Sequence, residues 1–236
     1  MRHWVDRQVE RLGGWFLPPR CVLCGSRGQS PCLDLCAACE ALLPLAAAPC
    51  VPGPAPLLHS FAPFAYGHPV DHLVHALKYR GQLAIGRVLG TLLAARIEPL
   101  GLQVDVDVIV PVSLHPERHA GRGFNQSAEI ARHLGRRLRR PVEVSLAMRC
   151  RATPPQVGLR GEDRRRNLAG AFVAAPRTGG LRIALVDDVL TTGATVGELA
   201  RALCGAGAQS VEAWCLGRAP DPKRVDLADH LEAGTG

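Results

Sequence analysis

After residue 104 the hydrophobic pattern changes period several times, and this alternation predicts an α/β domain. Residues 104–114, VDVDVIVPVSL, form a β-branched run that is typical of a buried strand. Residues 127–140, SAEIARHLGRRLRR, instead place apolar side chains at helical spacing. Further strand patterns are VEVSLAM, AFVA, LRIALV and SVEAWCL, with the helical pattern GATVGELARALCGAG before the last of them. Strands that alternate with helices predict an open, mainly parallel sheet flanked by helices.

The segment before this core predicts a short strand and two helices. FAPFAY is short and apolar, as expected of a strand. PVDHLVHALKYRG has helical periodicity and ends at Gly81, and a second helix is predicted over 82–97, before Pro99. Six prolines interrupt residues 44–63, which predicts a stiff linker and places a domain boundary near 55–60.

Composition and charge add little that is specific. The chain has 236 residues, 47% of them hydrophobic and 4% aromatic, with a formal net charge of +7 carried almost entirely by arginine. This charge is weak support for a polyanionic partner. The arginine-rich segments 136–140 and 164–166 fit either a single-stranded DNA contact or solvated faces. Because neither a secretory signal nor a membrane span is visible, we expect a cytoplasmic protein.

Four of the nine cysteines form two close pairs, CVLC at 21–24 and CAAC at 36–39. Two such pairs bring four thiolates around one tetrahedral ion, so the spacing predicts a structural Zn²⁺ site; free thiols are the alternative. Cys32 is a rival to Cys36 as a ligand. The predicted zinc ligands are Cys21, Cys24, Cys36 and Cys39. The remaining cysteines are expected to be small buried side chains: Cys50, Cys150, Cys204 and Cys215.

The stretch LVDDVLTTGAT, residues 185–195, combines two acids with a hydroxyl-rich loop at the end of a predicted strand. A helix that begins in this loop would offer free N–H groups to an anion, and Gly193 would let the backbone close on it. Asp187 and Asp188 would repel a phosphate but accept hydrogen bonds from a diol. The stretch therefore predicts a sugar-phosphate site, although an ordinary strand–turn–helix remains the alternative.

Several segments of the chain resemble known families. LVDDVLTTGAT resembles the phosphoribosyl-pyrophosphate (PRPP) binding motif of type I phosphoribosyltransferases. The chain from about 15 to 218 resembles the ComF family of competence proteins, in the segments PPRCVLCG, CAAC, HALKYRG, VPVSLHPERHAGRGFNQ, RCRATPPQ and RRNLAGAFV. Ser113 departs from that family, which more often has a proline there. The resemblance implies a zinc ribbon followed by a type I phosphoribosyltransferase-like domain.

The resemblance also implies roles for individual residues. Val186, Asp187 and Asp188 would bind PRPP, and the two acids would be catalytic and hold the ribose hydroxyls. Mg²⁺ would be carried largely by the ligand. The 5′-phosphate would be held by Thr191, Thr192, Gly193, Ala194 and Thr195. Contacts to pyrophosphate, acceptor or DNA are expected from Lys78, Arg122, Asn125, Gln126, Arg149, Arg151, Gln156, Arg164 and Asn167, with helix capping as the alternative for Asn125.

Two functions follow from these features, and both stay open at this point. One is a phosphoribosyltransferase with an unidentified acceptor. The other is a catalytically silent competence factor that binds single-stranded DNA or a partner, beside a competence helicase. The expected organisation is an amphipathic helix at 1–17, the four-cysteine module and linker at 18–57, the phosphoribosyltransferase-like domain at 58–218, and a flexible tail at 219–236.

Overall fold

The computed structural model describes residues 19–29, 34–151 and 168–220, apart from the side chains of residues 118 and 119. Several sequence predictions lie outside the described residues: the helix at 1–17, most of the tail at 219–236, and the roles of Cys32, Gln156, Arg164 and Asn167.

The described residues alternate between helices and strands. The helices are α1 (Ala37–Ala41), α2 (Val70–Arg80), α3 (Leu83–Ile97), α4 (Pro116–Arg122), α5 (Gln126–Leu138) and α6 (Ala194–Gly205). The strands are β1 (Cys50–Pro52), β2 (His59–Phe61), β3 (Phe64–Ala65), β4 (Val108–Pro111), β5 (Ala147–Arg149), β6 (Phe172–Ala174), β7 (Arg182–Leu190) and β8 (Ser210–Arg218). Every one of these helices is too short or too polar to cross a membrane.

The main sheet has the strand order β1-β2-β8-β7-β4, and β3 pairs with β8 beyond the end of β2. The β1–β2 pair is antiparallel, whereas β2–β8, β3–β8, β7–β8 and β4–β7 are parallel. This topology confirms the predicted open, mainly parallel sheet. It also shows that the proline-rich segment contributes an edge strand, because β1 lies within it.

Helices cover both faces of the sheet. Ile183 and Leu185 of β7 pack in an apolar cluster with Leu199 of α6. The intervening residues Ala184 and Val186 pack in a second cluster, to which helices α2, α3 and α5 contribute. The alternation arises because successive strand side chains point to opposite faces. The two clusters fix the positions of the helices that reach the carboxyl edge of the sheet.

Three local predictions are corrected by the structure. VEVSLAM joins the main sheet only at Val142, which forms a parallel bridge to Ile109 of β4. The end of VEVSLAM, in β5, and AFVA, in β6, instead form a separate antiparallel pair in which Met148 lies opposite Val173. Residues 116–122 form α4, which the periodicity did not indicate. FAPFAY contains β3, while β2 begins before it. Local strand propensity marked the extended residues but not their partners, which tertiary packing selects.

The scattered cysteines divide into two kinds. Cys215 is fully buried, as predicted, and Cys204 is partly buried. Cys50 and Cys150 are exposed, so the prediction of small buried side chains is wrong for them. Cys50 begins β1 at the edge of the main sheet, and Cys150 follows β5, which lies outside that sheet.

The four-cysteine module packs directly on the main core. Leu35 and Leu43 are buried in the same apolar cluster as helices α2 and α3. Next to this contact, Arg87 Nε of α3 donates a hydrogen bond to Asp34 Oδ2 at 2.9 Å. The module is therefore attached to the helical layer that also carries part of the candidate site.

Candidate ligand-binding site

The acid pair lies within β7, near its carboxyl end. The strand runs through Asp187 and Asp188 to Leu190, three residues before the helix cap at Gly193. Gly193 has a φ of 70°, in the left-handed region that glycine adopts without steric cost. The loop between β7 and α6 therefore turns sharply, and it carries the hydroxyls of Thr191 and Thr192.

Asp187 is held by two hydrogen bonds. Its Oδ1 accepts from the Ser127 hydroxyl at 2.8 Å and from the Asp188 backbone N–H at 2.9 Å. Ser127 is buried in the first turn of α5, where Asn125 caps the helix by accepting from the Ser127 N–H. Burial, followed by repulsion from Asp188, raises the pKa of Asp187 to about 7. Near neutral pH this carboxyl therefore exchanges between its protonated and ionised forms.

Asp188 is 4% exposed and forms an ion pair with Lys78 at the end of α2. The Lys78 Nζ lies 2.8 Å from Asp188 Oδ2. Burial opposes the charge on Lys78, but the Asp188 carboxylate outweighs it and raises the pKa of the lysine. This contact ties α2 to β7 and places a cation beside the acid pair.

Both acids face a cavity of about 790 Å³ at the carboxyl edge of the sheet. Such a position is where open α/β sheets bind ligands. The cavity brings together eight of the residues that the sequence singled out, namely Lys78, Arg122, Gln126, Arg149, Asp187, Asp188, Thr191 and Thr195. It is large enough for a phosphorylated sugar together with a second small molecule.

Two arginines give the acidic cavity a cationic wall. Arg122 Nη1 donates to Gln126 Oε1 at 2.5 Å, and its guanidinium lies 5.4 Å from the centre of the Tyr79 ring. Arg149 is 8% exposed and lies over the Phe172 ring at 5.7 Å. The ring contacts orient both guanidinium groups without neutralising their charge.

Other predicted site residues lie elsewhere. Asn125 caps α5 and also donates to the Val112 carbonyl at 3.0 Å, which favours the capping alternative. Arg151 does not line the cavity, and its Nη2 donates to the Ala169 carbonyl at 2.6 Å. Sequence reasoning missed Ser127 and Tyr79, although both stand directly beside predicted residues, in the segments NQS and LKY.

The four paired cysteines converge in the module. Their sulfur atoms all lie within 4.8 Å of one another, and Cys24 Sγ lies 3.6 Å from Cys36 Sγ. Tetrahedral thiolates at a Zn–S distance of about 2.3 Å are about 3.8 Å apart, so the cluster fits a zinc ion. Cys36 Sγ also accepts from the Cys39 backbone N–H at 3.5 Å, an arrangement typical of a Cys-x-x-Cys turn.

The sheet, its helical layers and the acid pair beside the large cavity define an α/β protein with an open, mainly parallel sheet and a candidate ligand site at its carboxyl edge. Relatives identify the family within this class. The chain is 35% identical over 224 residues to DNA utilization protein YhgH of Escherichia coli K12, covering 91% of this chain and 96% of the relative. It is 36% identical over 163 residues to Competence protein F of Haemophilus influenzae, covering 65% and 70%. The chain belongs to the competence protein F (ComF) family that these relatives represent.

Other comparisons are weaker. No protein-family model matches the chain. Among solved structures, a purine phosphoribosyltransferase from Pyrococcus horikoshii is 15% identical with a TM-score of 0.34, covering 56% of this chain and 80% of that one. The UMP synthase of Leishmania donovani is 18% identical with a TM-score of 0.34, covering 67% and 27%.

Proposed function

We propose that the large cavity binds PRPP, with Asp187 and Asp188 accepting hydrogen bonds from the ribose hydroxyls. One observation carries the proposal: the two carboxylates stand side by side at the carboxyl edge of the sheet, within the cavity that the Thr191 loop also lines. Asp187 is anchored by Ser127 and Asp188 by Lys78, so both acceptors are fixed before a ligand arrives. Preorganised acceptors lose little entropy on binding a diol.

The remaining parts of PRPP match the rest of the wall. Thr191, Thr195 and the first turn of α6 would hold the 5′-phosphate, because a helix N-terminus favours negative charge. Lys78, Arg122 and Arg149 would face the pyrophosphate. Mg²⁺ would be bound mainly by the ligand's own phosphate oxygens, since this ion keeps several non-protein ligands.

The reaction that fits this arrangement is transfer of the 5-phosphoribosyl group. The bond from the sugar C1 to pyrophosphate breaks, a bond from C1 to an acceptor forms, and pyrophosphate leaves with the bonding electrons. The chain would contribute by positioning the sugar and by stabilising the departing anion with cationic side chains. The acceptor stays unassigned, since none of the described side chains in the cavity identifies it.

Calorimetric titration of PRPP with Mg²⁺ tests the proposal. Wild type should bind, and Asp187→Asn/Asp188→Asn should weaken binding at least about 100-fold, because two hydrogen bonds to charged acceptors are worth about 1.5–3 kcal/mol each. Asp105→Asn is the matched control, since it removes an exposed carboxylate near the opposite edge of the sheet. Absence of binding to folded wild type would reject PRPP as the ligand.

We also propose that Cys21, Cys24, Cys36 and Cys39 hold one structural Zn²⁺. Four thiolates close the tetrahedral shell and leave no position for a reacting water. The module's helix α1 is only five residues long, so metal binding would contribute much of its folding free energy.

A role in DNA utilisation is a further part of the proposal, in the cytoplasm and beside a competence helicase. The names of the two relatives support it, whereas the arginine segment 136–140 supports it less than its composition indicates. Arg137 pairs with Glu98 at 3.4 Å, and Arg140 donates to the Val104 carbonyl at 3.3 Å. Binding of an oligothymidylate should weaken steeply with salt if phosphate contacts drive it, and salt-independent affinity would contradict that mode.

A further inference from the structure

A second, smaller cavity borders the Thr191 loop on the side of β2 and β8. Its volume is about 140 Å³, and its polar lining consists of Ser60, Thr191, Thr192, Gly193 and Arg218. The β1–β2 hairpin covers it: Pro54 is so close to the loop that a Cβ added at Gly193 would lie 3.8 Å from the proline ring. Thr191 is the only lining residue that it shares with the large cavity among the described residues.

Arg218 is the cation of this cavity. It ends β8, directly opposite Leu190, the last residue of β7. Its Nη2 lies 3.3 Å from the Ser60 hydroxyl and 3.5 Å from the Ser60 carbonyl, while its Nε is buried without a hydrogen-bond partner. Burial lowers the pKa of Arg218, and none of the ion pairs among the described residues involves it.

A partly buried guanidinium without a counter-ion is unfavourable in a ligand-free protein, because desolvation of the cation is not offset. Structural arginines elsewhere in this chain do have carboxylate partners: Arg182 pairs with Asp107 at 2.8 Å, and Arg87 pairs with Asp34. Arg218 differs from both. The unpaired charge therefore indicates that an anion from outside the described chain completes this cavity.

The other walls suit the same ligand. Thr192 contributes a hydroxyl that can rotate to donate, and the Ser60 hydroxyl is already aligned with the guanidinium. The first turn of α6 has no acidic residue, and its cap, Gly193, makes no side-chain hydrogen bond. A water takes roughly 30 Å³ of liquid, so the cavity holds one tetrahedral phosphate with a few waters, and not a whole nucleotide.

We propose that Arg218, Ser60 and Thr192 form a phosphate-group site on the β2–β8 side of the loop. The phosphate is either the 5′-phosphate of the proposed sugar ligand, held between Arg218 and Thr191, which lines both cavities, or a phosphate of a DNA strand. In the first case the inference rests on the proposed function. In both cases Arg218 supplies the positive charge that the loop itself lacks, and its planar fork suits two phosphate oxygens.

Calorimetric titration with inorganic phosphate tests the site. Arg218→Gln should weaken phosphate binding at least about 10-fold, the effect of losing one charge-assisted contact. Arg177→Gln is the matched control, because Arg177 also donates to a serine hydroxyl, that of Ser145, but is exposed and distant from the cavity lining. Ser60→Ala keeps the charge and provides a second variant should Arg218→Gln unfold; it should weaken binding several-fold.

The outcomes separate this inference from PRPP binding. Asp187→Asn/Asp188→Asn should still bind inorganic phosphate, even though it should no longer bind PRPP. Phosphate affinity that is unchanged in both Arg218→Gln and Ser60→Ala, or undetectable in wild type, would overturn the inference whatever the result with PRPP. If Arg218→Gln weakens the binding of ribose 5-phosphate, the sugar ligand fills the site. If it weakens only the binding of a 5′-phosphorylated oligothymidylate, the phosphate comes from DNA.

Discussion

Replacing Asp187 with asparagine is expected to stabilise the fold at alkaline pH. The pKa of Asp187 is raised to about 7, chiefly by burial and then by the neighbouring Asp188 charge. In the unfolded chain an aspartate titrates near about 3.9. The folded protein therefore binds more protons than the unfolded chain between these two values, and wild type loses stability as the pH rises through the folded pKa. Asparagine has no such titration.

The size of the effect follows from the separation of the two pKa values. About three pKa units at 1.36 kcal/mol each set an upper bound of about 4 kcal/mol on the amount by which this titration lowers the free energy of unfolding. Asp187 is partly open to the large cavity, so water screens some of this difference. Between about pH 5 and pH 8.5, we expect the free energy of unfolding of Asp187→Asn to rise by about 1–3 kcal/mol relative to that of wild type. The asparagine oxygen can still accept from Ser127, so the local geometry is kept.

Urea unfolding of both proteins at about pH 5 and pH 8.5, with saturating zinc, measures the difference. Any effect of pH on the cysteine module cancels, because both proteins contain it. Asp188→Asn is the contrasting control: it leaves the Lys78 ammonium without its carboxylate and should destabilise by about 1–3 kcal/mol. A stability difference between Asp187→Asn and wild type that is equal at both pH values would refute the raised pKa.

Two further predictions concern the cysteines and Ser127. The purified protein should contain one zinc per chain, and Cys24→Ser should release this zinc and lower the melting temperature. Cys150→Ser, which changes an exposed cysteine outside the cluster, should do neither. A wild-type protein that is fully folded without zinc would contradict the prediction. Ser127→Ala should weaken PRPP binding about 10-fold, because Asp187 loses a hydrogen bond of about 1.5 kcal/mol. The loss of affinity should be greatest below pH 7, because the lost hydrogen bond favoured the ionised carboxylate. An equal loss of affinity at every pH would indicate a structural defect instead.

The parallel sheet and the acid pair were predictable because each produces a local pattern in the sequence. The run that ends in Asp187 and Asp188 is both an apolar strand and a compact motif, and the structure places it in β7, an interior strand between β8 and β4. The cysteine cluster is equally local, since two Cys-x-x-Cys pairs need only one turn to meet.

Features that depend on long-range partners were not predictable. Ser127 lies 60 residues from Asp187, and nothing in a helix-start serine indicates such a contact. The pairing of β5 with β6 depends on tertiary packing, and not on the strand character of either segment. Arg218 ends an apolar strand, where a basic residue is ordinary. Its importance becomes visible only when the absence of a carboxylate partner among the described residues is known.

The charge distribution around the loop would explain how two acids and the proposed anion site can lie on either side of one loop. Asp187 and Asp188 belong to the large cavity, where Lys78 is the cation that acts on them. Arg218 belongs to the small cavity, and neither aspartate is among the charges that influence its pKa. Coulomb energy falls with distance and screening, so the two charge clusters do not cancel each other. A ligand that carries hydroxyls at one end and a phosphate at the other would satisfy both clusters at once, whereas a simple cation or a simple anion would satisfy only one.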